Sequence, residues 1–408
     1  MSAAADVIVV GGGPAGVAAA VELRRHGVSR VMLLDREPEL GGATRHCGHS
    51  PFGMREFGRV YVGAAYGRRL AAEAARAGVD VRIAHSVVRL EAGGRLLVTS
   101  PRGVEDMAAR RILIATGARE TPRSARLISG DRPVGVITTG TLQSYVAFHG
   151  LMPFRRPVVI GSELVSLSAV LTCLVHRARP VAMLETAPYA LVPMAFRWFP
   201  KLVGVSFHCG VQILDIRGAA RVEEVSFRRA DGMVETLACD GVLLTGGFTP
   251  EAALMRQSAL GVDAGSAGPA IDQDGRSGDP RVFAGGNVLR AVETGGWAFR
   301  EGRAVGAAIA EDLSRDDEPG EPVAVTFEAP VKLVVPSLLR RRGNATPAFH
   351  DFQLRFERRA RGRLALELDG REVWATERSF MPERRILVPL PPAALSAERV
   401  RFRFRERT

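Results

Sequence analysis

The hexapeptide Gly11-Gly12-Gly13-Pro14-Ala15-Gly16 sets glycines at the first, third and sixth positions of a GxGxxG pattern. Each answers a separate demand: Gly11 a tight turn, Gly13 the approach of backbone to a diphosphate, Gly16 close packing of helix on sheet. Asp35 stands 19 residues past Gly16, at the end of the next apolar run, where a carboxylate can accept hydrogen bonds from an adenosine ribose. A second constellation, His46, Cys47 and His49, follows the Gly41-Gly42 pair. Those side chains could move protons or polarise a substrate, or they could simply line a polar cofactor loop. The HxxH spacing lacks a third ligand, and Cys47, Cys173, Cys209 and Cys239 form no CxxC, so no metal site is expected.

The flanking residues supply the scaffold that such a turn needs. Val7–Val10 reads as a strand, Gly13 to about His26 as an Ala/Val/Leu helix, and Val31–Leu34 as a second strand. This βαβ unit implies a parallel sheet with helices on its faces. It recurs as strand Pro157–Ile160, helix Leu164–Arg177 and strand Val181–Leu184, a weak internal duplication. In the copy, the fingerprint has become Gly161-Ser162-Glu163-Leu164-Val165-Ser166. Glu163 puts a carboxylate where backbone should meet a diphosphate, although Arg155 and Arg156 could offset it. Glu185 still closes the following strand at the ribose position, so the second unit reads as a kept fold with a decayed site, and NAD(P)H is a doubtful second cofactor.

The chain has 408 residues, 46% of them hydrophobic and 24% charged, which excludes disorder and a disulfide scaffold and allows two or three domains. Its net charge of +11 raises the question of nucleic acid. Residues 320–408 hold 18 basic and 11 acidic side chains, however, so the excess sits mostly in the last fifth of the chain. There Arg399, Arg401, Arg403, Arg405 and Arg407 alternate with Val400, Phe402 and Phe404, the pattern expected of an edge strand with one solvated or partner-docking arginine face. Arg340-Arg341-Arg342 adds to that basic character. No nucleic-acid-binding motif accompanies it. Sparse cysteines and an N-terminus without a basic leader point to the cytoplasm, and no stretch reads as a membrane span.

Three further segments carry a resemblance to the two-dinucleotide-binding flavoproteins, the group that includes the pyridine nucleotide-disulfide reductases. They are Ile114-Ala115-Thr116-Gly117-Ala118, Gly241-Val242-Leu243-Leu244-Thr245-Gly246-Gly247 and Val282-Phe283-Ala284-Gly285-Gly286-Asn287. With Thr116–Glu120 and Gly130–Pro133 they look like the subunits related to sarcosine oxidase α, opine oxidase A and hydrogen cyanide synthase B, and like relatives found beside glycerol-3-phosphate dehydrogenases. The resemblance implies an α/β fold with two Rossmann-like domains. Residues 1–125 and 249–315 would form the FAD domain, 126–248 the inserted NAD-like domain and 323–408 a small C-terminal β domain, with Ser314–Pro322 as linker.

It also implies FAD, held by Gly11, Gly13, Pro14, Ala15, Gly16, Asp35, Arg36, Gly42, Arg45, Ala115, Thr116, Gly117, Gly286, Asn287, Gly296 and Trp297. Val88 would contribute backbone to the adenine pocket. Asn287 stands where the family has an Asp on the ribityl chain, and an amide can still bond a hydroxyl. Arg119-Glu120 reads as an interdomain ion pair or a flavin-loop contact. The family's cysteine pair is missing near the flavin, since the N-terminal region has only Cys47. The implied activity is an FAD-dependent oxidoreductase without a redox-active disulfide. It would act on a small amine- or alcohol-type substrate or exchange electrons with a partner redox subunit; an NAD(P)H-dependent flavin reductase and a non-catalytic electron-transfer subunit are the alternatives.

Overall fold

The computed structural model describes residues 5–49, 51–291, 293–315, 320–341 and 346–407. Its first half is built on strand Ala5–Val10, every residue of which is buried. That strand pairs in parallel with Val31–Leu34 on one side and Gly103–Ile114 on the other. Asp80–Arg82 extends one flank and Val282–Ala284 the other, both in parallel. Strands buried on both faces need apolar residues throughout, which is why Val-Ile-Val-Val and Ile-Leu-Ile runs appear here without alternation. Helix α1 (Pro14–Arg25) is the crossover between the first two strands. The short α2 (Met54–Phe57) and the longer α3 (Gly63–Arg76) follow. Ser86–Glu91, Arg95–Ser100 and the early part of Gly103–Ile114 form an antiparallel meander.

The second half repeats the plan. Pro157–Ile160 pairs in parallel with Ala182–Glu185 and Gly241–Leu244, flanked by Ser206–Cys209 and Val136–Thr138. Helix α4 (Thr139–His149), capped by the Thr138 hydroxyl, precedes this repeat, α5 (Leu164–Val175) is its crossover, and α6 (Phe199–Leu202) is a single turn. Its meander, Gln212–Arg217, Glu224–Arg228 and Val234–Ala238, was not among the strands expected from the sequence. The halves are joined by an antiparallel pair, Ala118–Glu120 with Phe248–Pro250. After α7 (Ala253–Arg256), α8 (Gly295–Leu313) returns to pack on α1. Gly302 and Gly306 permit that crossing, because a Cβ at either would strike the backbone of Ala15 or Ala19.

The C-terminal β region consists of two sheets around an aromatic core that includes Phe352, Phe356, Phe380, Phe402 and Phe404. Here two expectations are corrected. Strand Val400–Glu406 is not an edge: it lies between Pro322–Phe327 and Ala360–Leu368. The arginine face is solvated as expected, and Arg401, Arg403 and, just past the strand, Arg407 meet Glu328, Glu367 and Glu377 there. Arg340 is buried rather than displayed, with its guanidinium 3.2 Å from Asp272. Arg342 and residues 316–319 of the expected linker lie outside the described residues.

The C-terminal β region is joined to the first half across a continuous seam. Gln273 exchanges hydrogen bonds with the Arg340 backbone, Ile271 O accepts from Ser337 and Leu338, and Leu333, Val335 and Phe349 belong to the first half's core.

Candidate functional site

The expected cofactor residues of the first half converge at the N-terminus of α1. Gly11 has φ +109°, and a Cβ there would sit 2.5 Å from Ala115 O, so turn and neighbouring strand end are in contact. Gly286, φ +79°, comes equally close to Ala15, and Gly42, φ +54°, to Gly13. At Gly13 itself a Cβ would meet only Gly42 Cα, at 3.9 Å. The turn is therefore packed on every side but the one facing out from Gly13. No side chain caps α1, and Pro14 occupies its first turn, so the N-terminal N–H groups and the helix dipole face that open side. Such an array of free backbone N–H groups at a helix N-terminus has the polarity that a dinucleotide diphosphate requires.

Asp35 is buried at its rim. One carboxylate oxygen accepts from Gly12 N at 2.6 Å and the other from Glu37 N at 2.8 Å. Burial pushes its pKa up, against those two hydrogen bonds. Each oxygen keeps a lone pair for a hydroxyl donor. The strand entering the next segment meets Asp35 through His85, whose N–H bonds Asp35 O at 2.9 Å. Val88 lies further on, in a bulge and 42% exposed, so the contact with this end runs through Ala84 and His85 instead. Arg36 projects beside Glu37 at the surface. Arg45 is drawn inward, 3.4 Å from Glu37 and 4.8 Å above the Phe148 ring. Thr116 and Gly117 anchor the crossover between halves by bonding the Glu251 backbone.

The loop after Val282–Ala284 comes to the same place, with one redirected side chain. Asn287 and Glu293 are reciprocally bonded, amide to backbone, at 3.1 and 3.0 Å. Gly295 and Gly296 pass close to Phe52 and to Glu56, which accepts from the Tyr66 hydroxyl at 2.8 Å. The Trp297 ring, expected at the cofactor, points to the C-terminal region: Arg385 stacks at 3.5 Å, Arg300 at 4.4 Å, and the indole N–H bonds Glu301 at 2.7 Å. Its place in the motif fixes only its backbone at the start of α8. Buried Arg290 donates to both Glu301 and Gln353, while Arg355 and Arg385 both reach Glu293. The C-terminal β region is thus wired to the loop beside Asn287.

On the other side, His46 and Cys47 end a 3-10 turn that packs against α4 of the second half. Cys47 Sγ is 3.8 Å from Gln143 Oε1, and Gln143 donates to Ser168 at 2.9 Å. Burial, with Glu120 nearby, pushes the Cys47 thiol up to about 11. His46 shifts down, chiefly because it is buried, and its Nδ1 has no hydrogen-bond partner among the described residues. His49 instead stacks on Phe52 at 5.3 Å. Arg119 and Glu120 do not pair with each other. Arg119 meets Glu251 at 3.2 Å, whereas Glu120 accepts from Gly140 N at 2.8 Å and Gly246 N at 3.2 Å, across the junction of the halves. Gln143, Glu56 and Tyr66 were not singled out by the sequence, where nothing marks a contact across 96 residues such as Cys47 to Gln143.

The second half keeps the turn and puts side chains where the first has glycines. Gly161 has φ +117° and abuts Thr245 as Gly11 abuts Ala115. Glu185 accepts from Ala187 N at 2.8 Å, the counterpart of Asp35 and Glu37. Ser162, aligned with Gly12, adds a hydroxyl bond to Glu185 at 2.5 Å. Glu163, aligned with Gly13, folds its carboxylate onto Gly247 N at 2.8 Å, and burial raises its pKa. The offsetting charge is Arg126, which also donates to Gly246 O at 2.6 Å. Arg155 and Arg156 serve elsewhere, their backbone N–H groups bonding Asp240. The carboxylate thus lies against the Gly246-Gly247 strand end, at the aligned position where Gly13 carries no side chain.

Comparisons with known proteins agree with this geometry. The chain is 29% identical over 280 residues to the opine oxidase A protein of Rhizobium meliloti (strain 1021), covering 63% of this chain and 59% of that one. It therefore spans about three-fifths of that relative's length. It is 28% identical over 378 residues to the alpha subunit of sarcosine oxidase from the same organism, covering 85% of this chain and 34% of that one. The fold is similar to T. acidophilum thioredoxin reductase, with a TM-score of 0.63 at 23% identity over 76% of this chain and 98% of that one. Residues 5–302 match the family described as pyridine nucleotide-disulphide oxidoreductase, whose members generally bind FAD, and the chain belongs to that family.

Proposed function

We propose that this chain is the FAD-dependent dehydrogenase or oxidase subunit of a cytoplasmic multi-chain enzyme, acting on a small amine- or alcohol-type substrate without a redox-active disulfide. The carrying observation is the contrast at one aligned position: Gly13 leaves the first cradle open, and Glu163 fills the second. FAD held in the first cradle would supply the acceptor for a hydride equivalent. The diphosphate would lie on the α1 N-terminus beside Gly13, Ala15 and Gly286, the ribose at Asp35 and the ribityl chain near Asn287. His46, whose pKa burial lowers, would be the group that takes a proton from a substrate amine or alcohol. Cys47 stays a thiol at neutral pH and its sulfur bonds Gln143, which supports a chain with no thiol relay.

Relatives named as subunits of opine oxidase and sarcosine oxidase support an amine substrate and a partner. The test is anaerobic mixing of the purified flavoprotein with NADH, NADPH and small secondary amines. Absent or slow bleaching by the pyridine nucleotides, with bleaching by an amine once the partner is present, is the expected result. Rapid bleaching by NADH or NADPH alone would establish the flavin reductase reading instead.

A further inference from the structure

Helix α5 has no charged residue from Leu164 to Val175, and its only polar side chains, Ser166, Ser168 and Thr172, are hydrogen-bonded within the chain and not exposed. A helix of that kind is covered on all sides in a finished assembly. In this chain Leu164, Leu171 and Val175 line one face, at 58%, 45% and 68% exposure. The first half shows what is missing. Aligning Gly11 on Gly161 sets Leu171 over Val21, and Val21 is buried at 7% where α1 packs beside α3. The second half has only the single turn α6 near this position, and α6 adds to the exposed surface with Trp198 and Leu202, at 58% and 82%. The patch continues through α4, whose Phe148 is half-exposed and touches both His46 and Arg45 of the candidate active site.

Charge narrows what can cover it. Residues 139–204 contain six Arg or Lys and two carboxylates, Glu163 and Glu185. Both carboxylates turn inward, onto Gly247 and Ser162. Arg177, Arg179, Arg197 and Lys201 are all exposed, and the last two sit over the Trp198 ring. A second copy of this chain would bring like charges rim to rim. Of the C-terminal arginines, the other docking candidates, Arg401, Arg403 and Arg407 already face carboxylates of this chain. Their strand offers no apolar patch beside them, since Val400, Phe402 and Phe404 are buried.

We propose that this α4–α5–α6 face is the docking surface for the partner subunit, which presents an apolar patch ringed by carboxylates and so lies beside the His46 edge of the site. The proposal rests on the partner-subunit reading above and specifies where that partner sits.

The test is co-expression of the full chain with the polypeptides encoded beside it, one at a time. Complex mass is read by light scattering and backbone protection by hydrogen exchange. A heteromer is expected, with protection concentrated in 164–175 and 194–204. Binding should weaken at least about tenfold in Leu171→Glu and in Leu202→Glu, but not in Val104→Glu on the far meander. Retained flavin absorbance and circular dichroism show that the variants are folded.

A heteromer protected elsewhere, or unaffected by both substitutions, overturns the surface and leaves the partner reading standing. A chain that stays monomeric beside every neighbour, and turns over amine alone, overturns both. Self-association abolished by Leu171→Glu identifies a second copy as the occupant. Sedimentation with vesicles of phosphatidylcholine and phosphatidylglycerol, abolished by the same substitution, identifies a membrane surface. Either of these outcomes overturns the proposal.

Discussion

The two halves of this molecule share a plan down to the glycine that turns at each first strand, and they part at three side chains. In the first half Gly12 packs against Asp35 and Leu40 and Gly16 against Gly11, while Gly13 leaves the helix end open. In the second, Ser162, Glu163 and Ser166 spend the same positions on the protein itself: Ser162 on Glu185, Glu163 on Gly247, and Ser166 on the Glu163 carbonyl. Each sheet is intact, since its stability comes from buried apolar strands and not from the turn. The fold thus repeats without its turn residues repeating. The halves differ here in whether the position after the turn carries a carboxylate, as at Glu163, or no side chain, as at Gly13.

The severest way to break that comparison is to copy the second half's residue into the first. Gly13→Glu would set a carboxylate against the diphosphate in a partly dry pocket, a like-charge clash of about 3–5 kcal/mol. Flavin should be lost by at least about a hundredfold in affinity. The purified variant should emerge from gel filtration colourless but folded, read by its absorbance ratio and circular dichroism. Flavin retained at wild-type occupancy would show that Gly13 does not face the cofactor.

Much of this contrast is legible in the sequence because it depends on residue type at a fixed place in a motif. GxGxxG, Asp35 and Glu185 declare themselves in that way, and so does the carboxylate at Glu163. What escapes is decided sideways. Alternation in Val400–Glu406 says that one face is polar, but lateral pairing leaves no mark on side-chain order, so an interior strand reads as an edge. Trp297 stands at the start of α8, while its ring is claimed by Arg385 from a distant part of the chain. Arg155 and Arg156 are near Glu163 in sequence, yet the counter-charge is Arg126. Local patterns fix the backbone scaffold, whereas the partners of long charged side chains are set by tertiary packing.

The halves also differ in what they carry. The C-terminal β region is seated on the first half through Asp272, Gln273 and Arg340, whereas it meets the second at Tyr189 Oη, which accepts from Arg359 N at 3.3 Å, and brings Glu383 near Glu163. Burial raises the Asp272 carboxyl to about 6 despite the guanidiniums beside it. In the unfolded chain the same group titrates near about 4. Between those values the folded chain holds the extra proton, so this contribution to stability is present at low pH and is lost as pH rises through about 6. The difference between wild-type and Asp272→Asn melting temperatures should shift by several degrees between about pH 4 and about pH 7. Hydrogen exchange should place the change at 271–277 and 337–340, with the second half unmoved. An equal change in 157–185 would mean that the region leans on both halves alike.

The smallest expected effect is the reciprocal of the first. Glu163→Gly with Ser166→Gly removes the carboxylate from Gly247 and restores the glycine pattern, so NADH should bleach the flavin at about tenfold lower concentration than in wild type, a gain of about 1.4 kcal/mol. The gain is modest for a reason visible in the structure: Ser162 still donates to Glu185, so the acid at the ribose position remains engaged. Adding Ser162→Gly frees that carboxylate and should increase the gain further. Stopped-flow absorbance at the flavin band measures both steps. If neither variant responds to NADH better than wild type, the halves differ by more than these three side chains. The apolar face of α5, with no nucleotide to serve and a partner to meet, would then be the surface on which the second half has been rebuilt.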